Sequence, residues 1–220
     1  MTEAEFVARY PRLWHMAADG SWPSIQKHGL LSTFALLDLY GIEGETLNAI
    51  LSRRRPQSVT ISAKGLSDAV IRDQKPMTDA ALLKCLGGDL SPRDWYELLN
   101  KKTFFWLSQK RLRTLLGARA YRKSPQVVIT LDTASLLEHH SAKVQLARIN
   151  SGATLYKPQP RGKDTFKRIE DFPLDQMAVE LTVEGGVTDV AAHVLTVHRV
   201  ADGKAQELWR SARAKPDDGP

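Results

Sequence analysis

The chain has 220 residues, a length that admits one or two domains and can bury a core without a metal or disulfide staple. Its one cysteine, Cys85, excludes an internal disulfide and a cysteine-based zinc cluster, and its leucine-rich setting, ALLKCLGGDL, reads as that of a small buried side chain. The net charge of +6 permits polyanion binding, but the basic residues are scattered, with runs only at Arg53-Arg54-Arg55 and from Lys110 through Arg111, Arg113, Arg119 and Arg122 to Lys123.

No apolar run approaches the roughly 18 to 20 residues that span a bilayer. The opening MTEAEFVARYPRL carries acids and no apolar stretch, so no secretory signal is expected, and the expected location is cytoplasmic without membrane contact. In chain order, residues 2–9 predict a short helix ended by Pro11, and Leu13 to Met16 a short strand. Pro23 near the start and Gly29 at the end bracket a helical segment from Trp22 to His28. Ser32 or Thr33 caps a helix to Leu39, and another runs from Glu43 to Arg53. Gln57 to Ala63 is a candidate strand, and Met77 to Leu86 is helical. Ser91-Pro92-Arg93-Asp94 combines a serine cap, a first-turn proline and an acid, which predicts a helix to about Asn100. Phe104 to Leu107 follows as a strand, and Ser108 caps a helix that presents Leu112, Leu115 and Leu116 on one face. Val127 to Leu131 has the unbroken apolar character of a buried strand, with Asp132 or Thr133 capping a short helix after it. Met177 to Val183 and Val190 to Val200 read as strands around a Gly185-Gly186 turn, and Glu207 to Arg210 as one more. Helices lead and strands accumulate late, so the expected class is α+β. We expect one domain over residues 1–212, a helical insertion over about 41–92 and a disordered tail over 213–220.

Four stretches can carry chemistry. His15 ends an apolar run beside the small-residue turn Ala17-Ala18-Asp19-Gly20, where a ring either points into a cleft or is satisfied structurally. His28 suits a helix C-terminus. In FFWLS, Phe105 and Leu107 point one way and Phe104 and Trp106 the other, so one face is core and the other can offer a wall to a flat ring. Asn150-Ser151-Gly152 with Arg161 and Lys163 forms either an ordinary loop or a phosphate-binding one. Glu180 interrupts the apolar strand VELTV, and an unpaired buried carboxylate there would be costly. Among the histidines, His139-His140 look exposed, and His193 and His198, five apart in one strand, cannot share a metal, so no metal site is expected. There is no GxGxxG, P-loop, HExxH or GxSxG motif.

Taken together, WHMA (Trp14 to Ala17) with SIQKHGLLS (Ser24 to Ser32), FFWLS (Phe104 to Ser108) and VELTV (Val179 to Val183) resemble, in this order, the histidine, aromatic and glutamate segments of ADP-ribosyltransferases of the nucleic-acid-modifying branches. The chain is also similar throughout to an uncharacterised bacterial domain family with the pattern LYHMA, FFW, LDT, NSGAT, RGxxTF and VELTV. The first resemblance implies two small packed sheets, with helices concentrated in the N-terminal half. It implies cleavage of the nicotinamide–ribose bond of NAD and transfer of ADP-ribose to an acceptor such as DNA or RNA. Glu180 would be the catalytic carboxylate. His15, Met16, Ala17, Phe105, Trp106, Ser108, Ser151 and Arg161 would contact NAD, and Arg119, Tyr121, Arg122 and Lys163 the acceptor. This sequence departs from the superfamily at Phe105-Trp106, where many members have tyrosine. The alternatives are a module of the same fold that binds NAD, ADP-ribose or nucleic acid without turnover, and a protein-interaction domain.

Overall fold

The computed structural model describes residues 1–155 and 158–220. α1 (Glu3–Arg9) starts in a capping box: Thr2 Oγ1 accepts from the Glu5 N–H, and Glu5 accepts from the Thr2 N–H. β1 (Arg12–Ala18), α2 (Trp22–His28), β2 (Leu30–Leu31), α3 (Thr33–Leu39, capped by Ser32) and α4 (Gly44–Ser52) follow. The next segment, expected as a helical insertion apart from a strand at Gln57 to Ala63, folds β3 (Val59–Ile61), inside that expected strand, and the unexpected β4 (Ala69–Ile71) into an antiparallel hairpin, with only the five-residue α5 (Asp79–Leu83) after it. Its apolar positions alternate over too few residues to bury a helical stripe, and Gly65, at φ +83°, supplies the turn.

α6 (Pro92–Asn100) has its predicted Ser91 cap, and β5 (Lys102–Trp106), α7 (Gln109–Leu116), β6 (Gln126–Asp132) and α8 (Thr133–His140) fall where the sequence places them. β7 (Val144–Ala147) was not foreseen. β8 begins at Glu180 and ends at Glu184, later than the expected Met177 start. β9 (Gly186–Val187) pairs with β2, and a 3-10 turn at Val190–Ala192 precedes β10 (Val194–Ala201) and β11 (Lys204–Arg210). The fold is α+β.

Seven antiparallel strands form one sheet in the order β11-β10-β6-β1-β5-β8-β7. In place of the two small packed sheets expected from the resemblance there is this one large sheet, with the two-stranded β2-β9 and β3-β4 beside it. The joint between β1 and β5 is slight: β1 pairs with β6 along all seven residues, but with β5 only at Trp14 opposite Trp106. The sheet is thus a four-stranded half and a three-stranded half that meet at one residue pair.

β6 is buried on both faces, which is why its sequence is continuously apolar. Val127, Ile129 and Leu131 join the main core with Phe6, Leu13, Phe105 and Leu181, while Val128 packs on the other face with Trp14, Met16 and Leu112 of α7. Each such aliphatic side chain contributes about 1.5–3 kcal/mol by leaving water. A third cluster, around Leu37, Tyr40, Ile50, Ile61 and Ile71, ties the hairpin to α3 and α4. Cys85 is buried, as expected.

The tail is docked, contrary to expectation. Asp218 is 4% exposed and pairs with Arg12, with Nε to Oδ1 at 2.5 Å. The Gly219 carbonyl accepts from Trp14 Nε1 at 3.3 Å and from Gln109 Nε2 at 2.8 Å. These partners lie outside the tail, so its polar composition alone reads as unstructured. No helix among the described residues is long and apolar enough to cross a membrane.

Candidate functional site

A cavity of about 380 Å³ is lined by β1 and β5 on either side of the joint, with β2, β4, the loop at residues 150–152 and Glu180 completing the wall. Its shape follows from the divergence of β1 and β5 beyond Trp14–Trp106. There the ring of His15, rather than a backbone group of β1, meets the Phe104 carbonyl, with Nδ1 at 2.8 Å. Seclusion from water pushes His15 down to about 4, despite the carbonyl, so the ring is neutral at physiological pH. With the Nδ1 proton donated to Phe104, Nε2 is left as an acceptor. The edge of the Phe105 ring packs against His15 at 5.8 Å between centroids.

Glu180 stands at the first position of β8, directly opposite Trp106. It is only 4% exposed. Ser151 holds it: the N–H and the hydroxyl of Ser151 both donate to Oε2, at 3.1 and 2.7 Å. Oε1 receives no hydrogen bond from any described residue. Burial raises the carboxyl to about 7 even though both Ser151 bonds, Arg111 and Arg161 favour the anion. A carboxyl that titrates near neutrality on a cavity wall has the character of a reactive group.

Of the residues singled out in the sequence, His15, Met16, Ala17, Phe105, Trp106, Ser151, Tyr121 and Glu180 all line this cavity. Phe105 is core, 1% exposed, whereas Trp106, like Phe104 and Tyr121, is half-buried and presents aromatic surface to the cavity. Ser108 does not line it; its hydroxyl caps α7 by accepting from the Arg111 N–H at 3.3 Å. Arg161 does not line it either. Its buried guanidinium donates to the carbonyls of Ser151 (2.9 Å), Ala153 (2.9 Å) and Gln159 (3.1 Å), which brace the loop that presents Ser151 to Glu180. Three of its five N–H donors are thus committed to carbonyls, and its observed role is to brace the loop. Arg119, Arg122 and Lys163 are exposed and off the cavity wall. Arg55 leaves the basic run of residues 53–55: it is buried and donates to the Ile50 and Arg72 carbonyls and to Asn100 Oδ1.

The sequence reading missed Arg72 and Asp73, which the β3–β4 hairpin carries to the cavity. The Arg72 guanidinium lies 4.7 Å from the Tyr121 ring centroid and donates to Gln126 Oε1, but its Nε is buried without a partner. Burial pushes Arg72 down, and its charge in turn disfavours protonation of His15. Asp73 accepts from the Tyr121 hydroxyl at 3.3 Å. Only the charge pair interrupting AVIRDQ marked these residues in the sequence.

The cavity therefore offers a neutral imidazole, a tryptophan face, a carboxyl titrating near neutrality and a cation with an unused donor. No curated protein matches the chain. A family described as of unknown function, DUF7002, matches residues 11–194, and the chain belongs to that family.

Proposed function

We propose that the protein is an ADP-ribosyltransferase that cleaves the nicotinamide–ribose bond of NAD and passes ADP-ribose to a polyanionic acceptor. The observation that carries this reading is that His15, Trp106 and Glu180, from the three adjacent strands β1, β5 and β8, meet on one cavity. That is the juxtaposition the resemblance requires of its histidine, aromatic and glutamate segments.

The chemistry suits the groups. Loss of nicotinamide leaves an oxocarbenium-like ribose, which a nearby carboxylate stabilises electrostatically. Glu180, ionised and held by Ser151 through Oε2, has Oε1 left to take a ribose hydroxyl. His15 Nε2 accepts a second ribose hydroxyl, and the Trp106 face stacks on nicotinamide. Arg72 Nε is an unused donor suited to the pyrophosphate. The rim leads from Leu115 and Tyr121, both on the cavity, into the exposed Lys110, Arg111, Arg113, Arg119, Arg122 and Lys123, a basic approach suited to single-stranded DNA or RNA.

Labelled NAD incubated with the protein, with and without single-stranded DNA or RNA, tests the reading through nicotinamide release and label transfer. The wild-type chain is expected to release nicotinamide, and Glu180→Gln to do so at least 100-fold more slowly while binding NAD. Equal rates for the two would overturn the assignment. NAD binding without release by the wild-type chain would favour the non-catalytic module.

A further inference from the structure

We propose that His140, Asp189 and His193 form a zinc-type divalent metal site, separate from the cavity and independent of the NAD reading. His140 is in the last turn of α8. Asp189 and His193 flank the 3-10 turn Val190–Ala192, which places them four residues apart on one side. One ligand atom from each lies within 4.8 Å of the others. His140 Nε2 is 2.5 Å from Asp189 Oδ1, and His193 Nε2 is 3.3 Å from Oδ2. None of the three lines the cavity.

The second observation concerns His193. It is fully buried, and its Nε2 has no hydrogen-bond partner, because the approach to Asp189 is too poorly aligned to make one. Its other nitrogen, Nδ1, lies 2.8 Å from Ser135 Oγ, and its carbonyl accepts from the Asp132 N–H at 2.9 Å. The ring is thus held from behind at Nδ1, and with the proton on that nitrogen Nε2 is left free to bind a cation beside Asp189, the outer-shell arrangement that orients metal-bound imidazoles. In that tautomer an Nε2 lone pair beside an anionic oxygen is favourable only with a cation between them.

The dimensions fit. Tetrahedral zinc with bonds of about 2.0–2.1 Å separates its ligand atoms by about 3.3 Å. His193 and Asp189 already stand at that distance, and the half-exposed Asp189 carboxylate can widen the His140 contact by rotation. Two imidazoles and one carboxylate favour zinc over magnesium or calcium, with a fourth position left to water. The metal would pin the end of α8 to the β9–β10 connection.

The untagged full chain, stripped with chelator and dialysed, is to be titrated with Zn²⁺ by calorimetry, with metal content measured per chain and the Co²⁺ visible spectrum recorded. We expect one equivalent at micromolar affinity or tighter, a tetrahedral-type Co²⁺ spectrum and a higher melting temperature with metal. Asp189→Ala and His140→Gln should each weaken binding at least tenfold while circular dichroism stays native, and the neighbouring surface variant Glu138→Gln should bind as wild type. Absence of stoichiometric binding by the wild-type chain, or unchanged affinity in both ligand variants, would overturn the site.

Discussion

Burial raises the Glu180 carboxyl, so that near neutral pH far more of it is protonated than would be in water. Its folded value of about 7 stands above an unfolded value of 4.5. The protonated form is thus favoured by folding, and that contribution is fully present below about pH 4.5 and lost as pH rises through 7. Ionisation at pH 8 therefore costs the fold about 3 kcal/mol at most. Glu180→Gln removes the ionisation while keeping an acceptor for Ser151. It should raise the melting temperature at pH 8 and change it little at pH 5, as thermal unfolding at the two pH values would show. An equal shift at both would mean that the carboxyl ionises freely. His15 runs in the opposite sense: with a folded value of about 4, its contribution is present above about 6.5 and lost as pH falls through 4. Ionising the buried Glu180 carboxyl thus works against the stability of the fold.

At the scale of elements, the β2–β9 ribbon sets the depth of the cavity, since Gly29, Leu30 and Leu31 line it. Gly186 has φ +111°, and a Cβ there would stand 2.5 Å from the Leu30 carbonyl and 2.7 Å from Leu31 Cα. Gly186→Ala should destabilise the protein by roughly 1–3 kcal/mol or more, because neither the backbone angle nor the opposing strand can yield cheaply. Denaturant unfolding measures this; a loss under 0.5 kcal/mol would show that the ribbon is loosely held. Elements carrying local signals were legible in the sequence: Ser32 (one of two cap candidates there), Ser91 and Ser108 are caps, and the apolar run is β6, whereas the Thr2 cap was read as part of its helix. The two-residue β2 and β9 have no period to read, and β4 lies in a stretch whose helical neighbours dominate. The same distinction governs the site. Glu180 interrupts an apolar strand, His15 ends an apolar run and Trp106 belongs to an aromatic cluster, so all three are conspicuous. Arg72 reaches the cavity only because the hairpin folds back, and Arg161 looks like a phosphate ligand until its carbonyl partners are known.

At the scale of the molecule, the C-terminal tail acts as a strap across β1, β10 and α7. Arg12, Trp14, Gln109 and Thr196 all bond to Asp218 or Gly219, and the Arg12 guanidinium holds Asp218 below the usual carboxylate range against the opposing effect of burial. A chain ending at residue 212 uncovers these groups. It should melt several degrees lower, with the deficit shrinking in acid as Asp218 of the full chain becomes protonated and its contribution is lost. Calorimetry of the full and shortened chains at pH 7 and pH 3 would decide; equal melting temperatures at pH 7 would mean that the strap adds nothing to stability.

The single Trp14–Trp106 pair joining the two halves of the sheet has a consequence for how the protein opens. The strands of β11-β10-β6-β1 share continuous ladders, and so do those of β5-β8-β7, but little backbone pairing crosses between them. The halves are therefore coupled through the shared core of Leu13, Ile129, Phe105 and Leu181 rather than through backbone pairing, and amide hydrogen exchange reads how far each opens by itself. A ligand that touches His15 on one half and Glu180 on the other would bridge the two halves and make them exchange as one.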